Sequence, residues 1–151
     1  MPLAREQLVA LGLDDFVAVD LETTGLDPDR CEVIEFGAVR FVDGRPAEGV
    51  GQLLRPSGPL PEIITRITGL TDGDLAGAPT ADEALPALLA RWTAGRVIAH
   101  NLDFELGFLD RAARRFELAP VRREAALDTL LVARALAPTL FNHKLDTLVT
   151  H

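Results

Sequence analysis

The stretch "VAVDLETTGL", residues 17–26, decides which fold this chain adopts. It begins as an apolar run typical of a strand in the core, and Asp20 and Glu22 stand where that run ends. Residues two apart on a strand point the same way, so both carboxylates project together. Like charges held side by side away from water repel and raise each other's pKa unless a cation lies between them. Two interpretations remain open: a site for a hard cation such as Mg²⁺ or Mn²⁺, or a strand end with Asp20 in a turn and Glu22 in solvent.

The composition is that of one ordinary domain, and we expect a single domain spanning residues 1–151, soluble and cytoplasmic. The chain is 48% hydrophobic, and no apolar stretch approaches the ~20 residues that cross a bilayer. The lone Cys31 excludes an intrachain disulfide framework. The net charge of −8 argues against a protein that coats nucleic acid by neutralising phosphates. It does not exclude an enzyme that holds one strand end through metal ions, because carboxylates bind those ions.

One basic segment departs from this acidic balance. Five arginines occur within thirteen residues, and they are Arg111, Arg114, Arg115, Arg122 and Arg123. They fit either a solvated helix face followed by a turn, or a strip on which a nucleic-acid backbone rests.

The hydrophobic pattern predicts an α/β domain. Strands are predicted over 16–22, 32–44, 48–56, 96–101 and 124–127, and helices over 3–12, 61–67, 80–95, 103–116, 128–136 and 143–151. Asp43-Gly44 marks a turn, Thr80 an N-cap and Gly95 a helix end, while Pro86 is expected to bend its helix or delay its start. Three meandering strands followed by alternating helices and strands give a mixed sheet. No glycine-rich phosphate loop follows a strand, so neither a Rossmann nor a P-loop fold is supported.

A second pair of acids, Asp103 and Glu105, begins the helix predicted over 103–116. Helical spacing separates them. Glu105 belongs to the apolar stripe, whereas Asp103 belongs to the polar one. An acid on the apolar side of a helix needs a partner, so Glu105 is the candidate ligand, and Asp103 is expected to serve as an N-cap or first-turn residue. The stripe of Glu105 contains Phe108, Leu109, Ala112 and Phe116, and that of Asp103 contains Gly107, Asp110 and Arg114.

Three segments together carry a family resemblance. "VAVDLETTGL", "ITGLTD" (67–72) and "AHNLDFELGFL" (99–109) resemble the DEDD-type 3′–5′ exonucleases, the family of bacterial DNA polymerase III proofreading subunits. "ALDTLLVARAL" and "HKLDTL" resemble the segments that precede the third motif of this family. The resemblance runs from about residue 16 to the end, and it implies a ribonuclease H-like fold: a mixed five-stranded sheet flanked by helices.

The resemblance also implies a metal site. Asp20 and Glu22 would bind two divalent cations, Mg²⁺ or Mn²⁺, and Glu105 would fill the position of the second-motif acid. The family usually has Asp directly after Phe, so Glu105 is a departure, and Asp103 remains an alternative ligand. Phe104 fits a substrate pocket and the core equally well. The residues expected near the terminal nucleotide are Thr23, Gly25, Leu26, Asn101 and Phe104.

The third motif of the family, a His followed five residues later by an Asp, does not occur in the sequence. Glu105 lies five residues beyond His100, and Leu148 lies five beyond His143, while His151 is the last residue. His100 is expected to be structural, Asp128 to cap a helix and Asp146 to be solvated. The favoured interpretation is an exonuclease domain cut short before its C-terminal helix; the other is a natural protein that lacks its general base.

The sequence therefore predicts a metal-dependent 3′–5′ exonuclease domain that acts on single-stranded DNA 3′ ends in proofreading or repair, and it predicts that the 151-residue chain by itself is weakly active or inactive. An RNA-trimming relative is the less favoured form of this function. A DNA polymerase or helicase is the expected protein partner, and no membrane is involved. The alternative function is a catalytically impaired module that serves as a binding scaffold for such a polymerase or helicase.

Overall fold

Strand β1 (Asp15–Thr23) lies at the centre of a five-stranded mixed sheet. In this computed structural model, which describes residues 3–150, the strands follow the order β3-β2-β1-β4-β5. Strands β2 (Val33–Val42) and β3 (Arg45–Leu53) form an antiparallel meander with β1, whereas β4 (Val97–Ala99) and β5 (Leu127–Asp128) run parallel to it. The predicted mixed five-stranded sheet is confirmed.

Seven α-helices connect or flank the strands in the described part of the chain. They are α1 (Arg5–Leu11), α2 (Glu62–Thr68), α3 (Asp72–Leu75), α4 (Ala81–Trp92), α5 (Leu102–Arg115), α6 (Thr129–Leu136) and α7 (Leu145–Thr150). None of these helices is long and apolar enough to cross a membrane.

Several predicted boundaries are wrong, each for a local reason. Strand β3 begins at Arg45, not at residue 48, because Asp43 and Gly44 both have positive φ angles, 48° and 75°, and form a tight hairpin turn. Helix α4 ends at Trp92, three residues before Gly95. The first half of the predicted strand 124–127 belongs to a 3₁₀ turn, Arg123–Ala125, and β5 starts only at Leu127. Helix α3 was not predicted, and the end of the last predicted helix, His151, lies outside the described residues.

Helix α4 begins where the sequence predicted. The carboxylate of Glu83 accepts a hydrogen bond from the backbone N–H of Thr80 at 2.7 Å, which satisfies one of the free donors at the helix start. Pro86 lies inside α4 and does not delay its start. The helix contributes Leu85 and Leu89 to the main core.

The two faces of β1 differ in burial, and this difference explains how a strand at the centre of the sheet can carry two carboxylates. Val17, Val19 and Leu21 are buried on one face, where they pack with α4 and α5 in the main core. Asp20 and Glu22 point to the opposite face, which is only partly covered. The strand is therefore central within the sheet but buried on one side alone.

Candidate metal and nucleotide site

Asp20 and Glu22 lie side by side at the carboxyl end of β1. Asp20 reaches solvent, and its Cα partner on β2 is Gly37, which offers no side chain. Partial desolvation raises the pKa of Asp20, and the electrostatic effect of His100 opposes that rise. The proximity that sequence spacing predicted for the two acids is thus present in the fold.

Glu35 is a third carboxylate in this region, and sequence analysis missed it. It stands directly opposite Glu22 on β2, so the two side chains share one face of the sheet. Desolvation raises the pKa of Glu22 first, and the negative charges of Asp20 and Glu35 raise it further. Only the strand register reveals this pair, because thirteen residues separate Glu22 from Glu35 along the chain.

Glu105 is buried in the first turn of α5, on the inner side that the helical stripe predicted. Only 3% of its surface is exposed, and its Oε2 atom has no hydrogen-bond partner. Burial raises the pKa of Glu105 to about 7, helped by the charges of Asp20 and Asp128 and opposed by a backbone hydrogen bond. A buried carboxylate oxygen without a partner is costly, so this atom is suited to a ligand from outside the chain.

Asp103 lies on the other side of the same turn. Its side chain is 92% exposed and forms only a distant ion pair with Arg123, with Nη1 and Oδ1 3.6 Å apart. It is a first-turn residue, as expected, but it does not cap the helix. The prediction that Asp110 lies on the outward, polar stripe of the helix is wrong. Its side chain is only 17% exposed, and it accepts a hydrogen bond from Arg123.

The loop after β1 is held by its own side chains. Thr23 is buried, and its hydroxyl donates to the carbonyl of Gly25 at 2.6 Å, so this hydroxyl orders the loop. A Cβ on Gly25 would lie 2.7 Å from the Sγ atom of Cys31, so a larger residue there would require the Cys31 side chain to move. Leu26 is 84% exposed at the loop tip. Of the residues expected to face a nucleotide, Leu26 is therefore the one with a free apolar surface.

Asn101 and Phe104 lie at the start of α5. Asn101 adopts a left-handed conformation with φ of 77°, which asparagine tolerates better than most residues, and its side chain is exposed. Phe104 is half-buried, packs against the main core and lies 5.2 Å from the ring of Phe108. Phe104 thus has a structural role and keeps one side near the surface.

Asp128 fixes the start of two helices. As predicted, it caps α6, with Oδ1 accepting from the backbone N–H of Leu130 at 2.7 Å. It also accepts from the backbone N–H groups of Asn101 and Leu102, both at 3.1 Å, and so holds the start of α5. The second function depends on the parallel pairing of β4 with β5 and could not be predicted from sequence.

We expect Asp128→Ala to lower the free energy of unfolding by about 2 kcal/mol or more, since a lost N-cap alone costs ~0.5–2 kcal/mol and the start of α5 loses its acceptor too. Urea denaturation followed by circular dichroism measures this change. The matched control is Asp146→Ala, at an exposed position in the first turn of α7. A cost for Asp128→Ala no larger than that of the control would show that Asp128 does not link the helices.

His100 and Asp146 behave as expected, and His143 is engaged as well. Both ring nitrogens of His100 are engaged, Nδ1 with the hydroxyl of Thr129 at 3.0 Å and Nε2 with the carbonyl of His143 at 2.8 Å. The ring of His143 bonds to the carbonyl of Ala137. Asp146 is exposed on α7.

The basic segment is mostly engaged in ion pairs. Arg111 pairs with Asp29, and Arg115 pairs with Asp82 at 2.5 Å. Arg122 pairs with Glu124. These pairs favour the first of the two interpretations, a solvated helix face and turn, over a free strip for a nucleic-acid backbone.

The donor chemistry of this region fits hard divalent cations. Carboxylate oxygens are what Mg²⁺ and Mn²⁺ bind, and Glu105 Oε2 is a buried oxygen that lacks a partner. Within residues 3–150, however, no three His, Cys, Asp or Glu side chains are gathered into a group that could hold a metal ion. The acids are close enough to raise one another's pKa, but a shared ion would have to draw them together.

Comparison with known proteins identifies the family. The RNase_T exonuclease family model matches residues 17–151. This chain belongs to that exonuclease family. It is 34% identical over 134 residues to the PolC-type DNA polymerase III of Caldanaerobacter subterraneus subsp. tengcongensis, covering 89% of this chain and 9% of the relative. It is also 34% identical over 130 residues to the DNA polymerase III epsilon subunit of Aquifex aeolicus, covering 86% and 64%. The chain thus spans less than two thirds of these relatives.

Solved exonuclease structures share the fold. Exonuclease I without ligand superimposes with a TM-score of 0.75 at 18% identity, covering 91% of this chain and 36% of that one. Exonuclease X in complex with 5′-overhanging duplex DNA superimposes with a TM-score of 0.68 at 23% identity, covering 89% and 71%. The ribonuclease H-like fold expected from the sequence is confirmed.

Proposed function

We propose that this exonuclease-family domain removes nucleotides from single-stranded DNA 3′ ends in a reaction that depends on divalent cations. The single observation that carries the proposal is the buried Glu105, whose Oε2 lacks a partner beside the negative charge of Asp20. Membership of the family and the polymerase III relatives support the same function. A proofreading or repair context and a DNA polymerase or helicase partner are part of this proposal.

Each residue of the site has a proposed role. Asp20, Glu22 and Glu105 would hold two Mg²⁺ or Mn²⁺ ions, which when bound supply a Lewis acid for the phosphate and activate water. Thr23 and Gly25 keep the loop after β1 in place, so that Leu26 presents its exposed side chain to the terminal nucleotide. Asn101 and Phe104 would border the same nucleotide from the start of α5.

A free single-stranded end suits this surface. The bases of a single strand can be unstacked and rest on apolar side chains, whereas a duplex end must first be opened. Leu26 offers such an apolar contact at the tip of the loop. The ion pairs of the basic segment also leave little free positive charge for a long duplex, which fits an enzyme that holds only the strand end.

Titration of Mn²⁺ by calorimetry tests which acid of α5 is a ligand. Glu105→Ala should weaken Mn²⁺ binding at least about tenfold, because it removes a charged ligand, and tenfold corresponds to ~1.4 kcal/mol. Glu105→Asp should retain binding, because it restores the acid that the family usually carries. Asp103→Ala is the matched control and should leave both Mn²⁺ affinity and stability within about 1 kcal/mol of wild type, since it breaks only an exposed ion pair.

The opposite pattern would contradict the proposed site. If Asp103→Ala abolished Mn²⁺ binding and Glu105→Ala retained it, Asp103 would be the second-motif acid. If neither variant changed binding, the metal would lie elsewhere.

A scaffold that holds a polymerase or helicase is the second candidate function. It is favoured by one observation: in the described part of the chain the acids are not gathered into a three-ligand group. Such a scaffold has no reason to bind Mn²⁺. If calorimetry detected no heat of Mn²⁺ binding to the wild-type protein, the scaffold function would be favoured over the exonuclease function.

A further inference from the structure

Three carboxylates share the partly covered face of the sheet and have no basic partner. They are Asp20 and Glu22 on β1 and Glu35 on β2, and among residues 3–150 their side chains form no ion pair and no hydrogen bond. By contrast, Asp15 at the other end of β1 is paired with Arg40 at 2.6 Å. A charge that is partly removed from water costs free energy unless another charge compensates it. The chain itself supplies no such compensation for these three acids.

Glu35 lies between a second carboxylate and an apolar cluster. Its Cα partner is Glu22 on one side and Leu53 of β3 on the other. Leu53 packs against a second apolar core that contains Ile34. Like charges directly opposite each other on two strands are destabilising, and Glu35 is half-buried as well. Packing within the chain therefore does not explain a glutamate at this position.

A β-bulge lies directly beside the two facing glutamates. Glu22 pairs with Glu35 but Thr23 pairs with Val33, so Ile34 is an extra residue on β2. The side chain of Ile34 is fully buried. Bulges redirect neighbouring side chains and are frequent next to functional sites. The ladder is thus irregular at the point where the two glutamates meet.

Gly37 leaves open space next to the three acids. It faces Asp20 across the β1–β2 ladder, just as Glu35 faces Glu22. A Cβ built on Gly37 would meet only the backbone oxygen of Asp20 within 4 Å, at 3.4 Å. Carboxylates therefore occupy three positions of this four-residue patch, and the fourth position has no side chain. Mg²⁺ needs carboxylate oxygens and room for several bound waters, and the patch offers both.

Glu105 is independent evidence for a ligand in this region. It comes from α5, only 3% of its surface is exposed, and its Oε2 atom has no hydrogen-bond partner. Desolvation raises the pKa of Glu105 and of Glu22, and the charge of Asp20 raises both further, while the charge of Glu35 acts on Glu22. These electrostatic contacts give the order Glu105, Asp20, Glu22, Glu35. The series ends on α5 in a buried oxygen that a ligand from outside the chain would complete.

We propose that Glu35 is a ligand of a divalent cation that it shares with Glu22, and that Asp20 and Glu105 hold the other cation. This assignment rests on the metal-dependent function proposed above and adds a ligand to it. Each ion would then have two carboxylates, which are the ligands that hard divalent cations prefer. The ion between the two facing glutamates would compensate charges that no basic side chain compensates.

Urea denaturation with and without Mn²⁺ tests whether Glu35 serves the metal or the fold. Glu35→Gln keeps the size of the side chain and removes its charge. Without metal the variant should be at least as stable as wild type, because the repulsion from Glu22 is removed. Saturating Mn²⁺ should stabilise wild type more than the variant, since the folded variant binds the ion more weakly. A glutamate with a purely structural role would lower stability equally in both conditions and would overturn the proposal.

Calorimetric titration of Mn²⁺ into single and double variants identifies the shared ion. Glu35→Gln should weaken one of two Mn²⁺ affinities about tenfold, because it removes a charged ligand, and leave the other unchanged. The double variant Glu22→Gln with Glu35→Gln should still bind one ion with wild-type affinity. Glu35→Gln with Glu105→Ala should bind neither ion with that affinity. Glu62→Gln is the matched control: the same change at an exposed carboxylate that pairs with Arg66, with Mn²⁺ binding expected to equal wild type.

Four results would speak against this assignment. If Glu35→Gln bound Mn²⁺ like wild type while Glu105→Ala bound it more weakly, Glu35 would not be a ligand and the proposed function would stand. If wild type bound no Mn²⁺, both proposals would fail. Loss of both ions from Glu22→Gln with Glu35→Gln would exclude the division into two pairs of acids. An equal loss of affinity in Glu62→Gln would assign the effect to net charge.

Discussion

Asp20→Asn should lower the rate of DNA degradation in Mg²⁺ or Mn²⁺ at least about 10²-fold, because bound metal contributes several kcal/mol to such reactions and ~1.4 kcal/mol is tenfold in rate. Glu22→Gln should have a similar effect. Neither variant should be less stable than wild type without metal, since each removes a charge whose pKa the folded protein raises. The assay is the shortening of a 5′-labelled single-stranded oligonucleotide, which reports removal from the 3′ end.

The control for this experiment is Asp146→Asn, which changes the net charge equally at an exposed position on α7. It should retain the wild-type rate. Equal rates for Asp20→Asn and wild type would remove Asp20 from the reaction. A variant that melted well below wild type without metal would instead assign Asp20 a structural role.

Glu105→Gln should stabilise the metal-free protein above neutral pH. The pKa of Glu105 is raised from 4.5 in the unfolded chain to about 7 in the fold, so folding favours the protonated form. Stability from this group is complete below pH 4.5 and is lost as the pH rises through 7. This difference in pKa corresponds to about 3 kcal/mol at pH 8, because one pKa unit is ~1.4 kcal/mol.

Urea denaturation of wild type and Glu105→Gln across pH 4–9 measures this difference directly. Wild type should lose stability relative to the variant between pH 4.5 and 7, and saturating Mn²⁺ should restore it to wild type alone. Glu6→Gln, at an exposed position on α1, should show no such divergence. If the free energy of unfolding depended on pH in the same way for wild type and Glu105→Gln, burial would not disfavour the charged form of Glu105.

The sequence by itself determined the fold class, the strand that carries Asp20 and Glu22, and the side of α5 on which Glu105 lies. These follow from periodicity, because a period of two on a strand and 3.6 on a helix fixes which residues share a face. Local chemistry also placed the Asp43-Gly44 turn and the Asp128 cap. The end of α4 could not be predicted accurately from the sequence. The sequence indicates Gly95 as the residue that ends the helix, but the helix ends at Trp92, where Trp92 and Thr93 are buried.

Only the tertiary structure decided which distant residues meet. Strand register set Glu35 opposite Glu22, and parallel pairing of β4 with β5 brought Asp128 to the start of α5. The spacing of Asp20 and Glu22 predicted that they share a face of β1, but not that this face is only partly covered, because that coverage depends on where α4 and α5 pack. Spacing along a chain fixes direction within one element, whereas contacts between elements depend on register and packing, which no single segment encodes.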